Sequence, residues 1–102
     1  MSHTPSLLSI ELVRVGATPA TKEAAIREAA QMLVAAGRID VGYVESMMRR
    51  ETVANTFLGH GVAIPHGMIE DRAMIRDNGL AVLQIPGGVT WNEGQTVRLV
   101  VA

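Results

Sequence analysis

One histidine in this sequence stands where chemistry would be placed. In Val62-Ala63-Ile64-Pro65-His66-Gly67 a short β-prone run meets a proline, and a histidine and a glycine follow. Pro65 has no backbone N–H and a restricted φ, so strand pairing tends to end there. His66 would then sit at the mouth of the sheet that Val62 to Ile64 joins. Gly67 permits backbone angles that other residues avoid, and would leave room for a bulky group beside the ring. Imidazole suits phosphoryl acceptance, because a reference pKa of about 6.5 leaves much of it neutral, with a free lone pair, at neutral pH. One ring nitrogen can be held by a hydrogen bond while the other attacks. The transferred group carries charge on three equatorial oxygens, which backbone amides and an arginine can stabilise. Taken bare, a Pro-His-Gly is more often a plain turn with an exposed or structurally bonded histidine.

Other residues offer weaker chemistry. His60 precedes His66 by six positions, but Gly61 and Pro65 disturb the alternation that would put both on one face, so it reads as a loop histidine. His3 belongs to the terminus. Two histidines with Glu70 or Asp71 make a metal set only on paper, since the spacing fits no compact motif. Glu70-Asp71-Arg72 reads as a solvated charge cluster. Pro86-Gly87-Gly88 reads as a turn, without the lysine and helix start of a phosphate-binding loop. No metal and no cofactor is expected.

The elements that must position His66 follow from local signals. Met1 to Pro5 reads as frayed, and a short turn near Leu7-Leu8 leads into an extended Ile10 to Val15. After a loop at Gly16 to Pro19, Thr21 can accept a hydrogen bond from a first-turn amide, as an N-cap does. Glu23 lies where the helix dipole favours negative charge. Ile26, Ala29, Ala30 and Leu33 have the spacing of a buried helical stripe, and Gly37 suits a left-handed cap. Asp40 is a second candidate cap, for a helix with Val44, Met47 and Met48 on its apolar side that ends near Arg49-Arg50. Gly59, Gly61, Pro65 and Gly67 exclude helix beyond it. Glu70 to Asp77 reads as a loop or one short helix, and Asn78-Gly79 as a turn. Leu80 to Ile85 reads as a buried strand, Val89 to Trp91 as a short extended piece with Trp91 partly buried, Asn92 to Gln95 as a loop, and Thr96 to Ala102 as a β-rich run. Helices followed by strands point to an α/β or α+β chain with helices backing a sheet.

Composition bounds the answer. At 102 residues, 48% of them apolar, the chain is one domain or part of one. Three aromatics and six methionines mean a core of aliphatic side chains. A net charge of −1 gives no basic footprint for nucleic acid. Cysteine is absent, which excludes thiolate catalysis and disulfides in this stretch. No signal peptide is read at the N-terminus, and no apolar run approaches membrane-spanning length. The expectation is a cytoplasmic protein without membrane insertion.

The run Asn55-Thr56-Phe57-Leu58-Gly59-His60-Gly61-Val62-Ala63-Ile64-Pro65-His66-Gly67 resembles the active-site signature of type-2 IIA domains of the phosphoenolpyruvate-dependent sugar phosphotransferase system. Ala20-Thr21-Lys22-Glu23-Ala24-Ala25-Ile26, Arg50-Glu51 and Gly94-Gln95-Thr96-Val97-Arg98-Leu99-Val100-Val101 are similar to the same family. The resemblance covers nearly all of the chain after Leu7. It implies an α/β fold with a mixed β-sheet flanked by α-helices, the mannitol-type IIA fold. It implies that His66 takes a phosphoryl group from the phosphocarrier HPr, through Nε2, and passes it to a IIB domain. Arg50 matches a family arginine near that histidine, and a guanidinium can grip phosphate oxygens in pairs. A solvated helix-end cation is the other reading of Arg50 and the one taken for Arg49. Glu70-Asp71-Arg72, Leu83-Gln84-Ile85-Pro86 and Val89-Thr90-Trp91 look most like the fructose branch, which often carries IIA ahead of HPr-like and Enzyme I domains. The alternative is a regulatory IIA protein of the nitrogen-regulatory type, acting by phosphorylation-dependent partner binding. The resemblance further implies that residues 1–102 are the N-terminal two-thirds of such a domain. A further strand, closing helices and a second histidine that supports the phosphoryl group are expected past Ala102.

Overall fold

The computed structural model describes residues 10–102. The readings of His3, of Met1 to Pro5 and of Leu7-Leu8 lie outside them. A 3-10 turn, Ile10–Leu12, enters β1 (Val13–Arg14). Two helices follow, α1 (Lys22–Ala35) and α2 (Gly42–Val53). A hairpin of β2 (Phe57–Gly59) and β3 (Val62–Ala63) comes next, then a 3-10 helix at Ile69–Met74. The long strands β4 (Val82–Asn92) and β5 (Gln95–Val101) complete the chain.

The five strands form one mixed sheet in the order β1-β4-β5-β3-β2. β1 runs parallel to β4 and β3 parallel to β5, while β4–β5 and β2–β3 are antiparallel. This is the helix-flanked mixed sheet that the family resemblance implies. Among the described residues no helix is long and apolar enough to cross a membrane.

α1 forms for the local reasons read from its sequence. The Thr21 hydroxyl accepts from the Ala24 amide at 3.0 Å, and Ile26, Ala29, Ala30 and Leu33 are all buried. They pack on β4 and β5, where Leu83, Ile85, Val89, Trp91, Val97 and Val100 complete the core. Gly37 follows the helix with a φ of 73°, in the left-handed region glycine occupies without strain.

α2 departs from expectation at both ends. Its first residue is Gly42 and the cap position falls on Val41, not Asp40. Asp40 nevertheless serves this terminus. Its backbone carbonyl accepts from Tyr43, and its carboxylate from the Gly42 amide. That amide, with Arg76 behind it, holds the Asp40 carboxyl below the usual carboxylate range. At the other end the helix does not stop near Arg49-Arg50 but runs on to Val53. Arg49 and Arg50 are therefore followed by another turn of helix, which carries Glu51 inward.

Pro86-Gly87-Gly88 is not a turn. β4 continues through it as a bulge, with five steps from Gln84 to Val89 set against two from Leu99 to Val97 on β5. A bulge tolerates the missing proline N–H, and Gly88 takes a φ of 75°. The true reversal is at Glu93-Gly94, where Gly94 has a φ of 76°. Trp91, expected to be partly buried, is 3% exposed. A further hairpin, unforeseen, turns at His60-Gly61, with φ of 54° and 77°.

Candidate functional site

His66 lies three residues past the end of β3 and is exposed, while Pro65 before it is buried. β3 pairs with β2 on one side and β5 on the other, so the segment that leads to the histidine leaves a strand held from both flanks. Its Nδ1 lies 2.9 Å from the Ile64 carbonyl oxygen. A carbonyl oxygen can only accept, so Nδ1 carries the hydrogen in this contact. In the neutral ring the lone pair is then on Nε2.

α2 fixes the segment beyond His66. Tyr43 Oη accepts from the Gly67 amide at 2.9 Å, and Ser46 Oγ from the Met68 amide at 2.8 Å. Ser46 Oγ donates in turn to Asp71 at 2.7 Å, and Arg49 bonds the same carboxylate oxygen at 2.6 Å. Asp71 is thus a structural anchor, not a solvated charge. Gly67 also differs from expectation. A Cβ there would clash with the hydroxyl end of the Tyr43 ring, so the space left by the missing side chain is taken by Tyr43.

Tyr43, Ser46 and Arg50 recur at i, i+3 and i+7, one face of α2. Arg50 is half-buried and donates to the Ala54 carbonyl at 2.8 Å. It meets His66 in an open cleft of about 480 Å³, lined also by Tyr43, Val53, Gly67, Met68, Ile69 and Arg72. The fold thus brings His66 and Arg50 into one cleft and adds Arg72, which the sequence placed in a solvated cluster. A second, smaller space of about 230 Å³ also reaches His66 and is lined by Met47, Pro65, Ile75, Leu80 and neighbours. His60 lines neither space; it is exposed at the hairpin tip. Among the described residues no three His, Cys, Asp or Glu side chains are grouped to hold a metal ion.

Behind the cleft lies a residue that sequence reasoning missed. Glu51 is buried, and its carboxylate gathers the Thr56 hydroxyl at 2.6 Å, the Thr56 amide at 3.0 Å, Trp91 Nε1 at 3.2 Å and Lys22 Nζ at 3.2 Å. Lys22 also lies 5.5 Å from the centre of the Trp91 ring, within reach of a cation–π contact. Burial pushes the Glu51 carboxyl up, but the two Thr56 bonds and Lys22 outweigh it and hold the group below its ordinary value. In the sequence Glu51 appears only within the family-like pair Arg50-Glu51, with no sign of its buried partners.

Comparison with known proteins finds matches over nearly the whole chain. The family model described as "Phosphoenolpyruvate-dependent sugar phosphotransferase system, EIIA 2" matches residues 6–102. A multiphosphoryl transfer protein of Xanthomonas campestris pv. campestris is 59% identical over 100 residues, which are 96% of this chain and 12% of that protein. The chain therefore spans a small fraction of the length of such relatives. The mannitol-specific phosphotransferase enzyme IIA component of Halalkalibacterium halodurans is 42% identical over 99% of this chain and 68% of its own length. Among solved structures, the complex of enzyme IIA and phosphorylated enzyme IIB for mannitol from Escherichia coli aligns with a TM-score of 0.89 at 35% identity, covering 93% of this chain and 69% of that one. On this match of nearly its whole length, the chain belongs to the EIIA 2 family of the phosphoenolpyruvate-dependent sugar phosphotransferase system, a phosphotransferase family.

Proposed function

We propose that His66 is the covalent phosphoryl acceptor of a cytoplasmic IIA carrier that takes its phosphoryl group from HPr and hands it to a IIB domain. The observation that carries this is the imidazole with Nδ1 held by the Ile64 carbonyl, facing a cleft that also holds Arg50 and Arg72. The Nε2 lone pair attacks the phosphorus of the donor phosphohistidine. The donor P–N bond breaks, and its electron pair returns to the donor ring, which, protonated on its other nitrogen, leaves as neutral imidazole. His66 becomes a phosphoimidazolium, and its positive Nδ1–H is stabilised by the Ile64 carbonyl. No separate proton acceptor is needed. Gly67 and Met68 already donate their amides to Tyr43 and Ser46, so the electrostatic support falls to the guanidinium groups of Arg50 and Arg72.

The acceptor IIB is supported by the solved relative bound to phosphorylated enzyme IIB. Fructose is our choice of sugar. It rests on the sequence motifs described above and on the higher identity to a multiphosphoryl transfer protein, 59%, than to a mannitol component, 42%. The test is incubation with phosphoenolpyruvate, Enzyme I and HPr, followed by IIB domains of fructose and mannitol permeases. Acid-labile phosphate should map to His66, be absent in His66→Gln, and pass faster to the fructose-type IIB. Phosphate on His60 in the wild-type protein would overturn the assignment, and capture of a regulator without onward transfer would favour a regulatory role.

A further inference from the structure

We propose that Glu51 is a positioning residue for His66, acting through Thr56 and Ile64 to hold the imidazole in the place and tautomer that phosphoryl transfer requires. The proposal rests on the reading of His66 as acceptor. Glu51 does not line the cleft, and its side chain is only 6% exposed. It touches nothing that reacts, yet a chain of hydrogen bonds connects it to the ring.

The connection has three steps. Glu51 accepts from both the amide and the hydroxyl of Thr56. The Thr56 carbonyl accepts from the Ile64 amide at 3.0 Å. The Ile64 carbonyl accepts from His66 Nδ1. The same short connection between α2 and β2 is pinned by Arg50, which donates to the Ala54 carbonyl. Adjacent residues on α2 thus fix one turn from two sides, and with it the offset between Arg50 and His66. On its far side Glu51 is held by Lys22 of α1 and Trp91 of β4, so the position of Thr56 is referred to both the helices and the sheet.

The chemistry requires a carboxylate. Four donors converge on two oxygens, and an ionised carboxylate only accepts. A glutamine would turn an NH₂ toward at least one of those donors. If Thr56 moves, Ile64 moves with it and Nδ1–H loses its acceptor. The ring is then free to carry its hydrogen on Nε2, which blocks the attacking lone pair.

The experiment uses the protein labelled with ¹⁵N-histidine. Long-range ¹H–¹⁵N correlations at alkaline pH report the tautomer of neutral His66, and phosphoryl uptake from phospho-HPr gives kcat and KM. The wild type should show mainly the Nδ1–H form. In Glu51→Gln and Thr56→Val the Nε2–H share should rise. Their kcat should fall on the order of 10- to 100-fold, as misplacement of a reacting group does. KM should hold, because the buried residues do not meet the donor. Thr56→Ser keeps the hydroxyl and should restore wild-type values. Should Glu51→Gln not fold, Thr56→Val against Thr56→Ser decides by the same readouts. Folded variants with the wild-type tautomer and kcat, a change in KM alone, or a wild type already in the Nε2–H form would each overturn the proposal. Failure of the wild type to take phosphate on His66 would instead overturn the acceptor reading, and the tautomer measurement would still judge the role of Glu51.

Discussion

At the scale of single residues, the proposed acceptor role of His66 asks two guanidinium groups of its cleft to do what backbone amides do in many phosphate sites. Arg50 is the better placed, because its bond to the Ala54 carbonyl holds it in the cleft wall. Arg50→Lys keeps the charge and loses the planar fork, so it should slow transfer with little change in stability. Loss of one transition-state donor costs on the order of 10²–10³ in rate, and a half-exposed site should show the lower part of that range. Arg72→Gln should also slow transfer, by less, because this side chain is exposed. Arg49→Gln breaks a pair whose arginine end is exposed, worth about 0–1 kcal/mol, while Ser46 still holds Asp71, and should leave transfer nearly unchanged. Single-turnover uptake from phospho-HPr measures all three. Equal rates for wild type and Arg50→Lys would return Arg50 to the class of solvated cations. The exposed position of His66 just past the sheet was legible because Pro65 before it ends the strand run. Tyr43, Ser46 and Glu51 were not, because each acts on residues far along the chain, Gly67, Met68 and Trp91 among them.

At the scale of elements, what could be read was what is decided locally. The Thr21 cap, the buried stripe of α1 and the left-handed Gly37 each depend on a few neighbouring residues. The end of α2 was misread because Arg49-Arg50 looks like a last turn, whereas burial of Glu51 against Thr56 and Trp91 draws the helix onward. The Pro86-Gly87-Gly88 bulge was misread because only pairing with β5 reveals that the strand continues. The bulge also makes a testable demand. A Cβ on Gly88 would lie 2.7 Å from Thr96 Cγ2, at a φ of 75°. Gly88→Ala should therefore lower stability by about 1–3 kcal/mol, from strain at a positive φ together with the clash. Adding Thr96→Ala removes the clashing methyl but not the strain, so it should recover part of the loss. Urea midpoints of the two variants separate the contributions. A neutral Gly88→Ala would mean that the bulge relaxes more readily than its geometry suggests.

At the scale of the whole molecule, one carboxylate ties together four elements of the fold. Glu51 on α2 meets Lys22 on α1, Thr56 ahead of β2 and Trp91 on β4. Its folded-state pKa is held below the reference value of 4.5. The unfolded chain therefore takes up this proton at higher pH than the folded one does. The stabilisation is fully present above about pH 4.5 and is lost as pH falls through the depressed folded value. Urea unfolding followed from neutral pH down to about pH 3 should show a decline of stability in that window. Trp91 is the single tryptophan of the sequence, and its indole N–H rests on this carboxylate, so its fluorescence reports the transition from inside the network. Glu51→Gln should be less stable at pH 7 by about 2–3 kcal/mol, since it leaves Lys22 and the Thr56 donors poorly matched. It should also lose less stability than the wild type on going to acid. The two curves would then converge at low pH, where both side chains are neutral. Parallel curves, with the same acid loss in both proteins, would move the origin of the pH dependence to other carboxylates and reduce Glu51 to a packing contact.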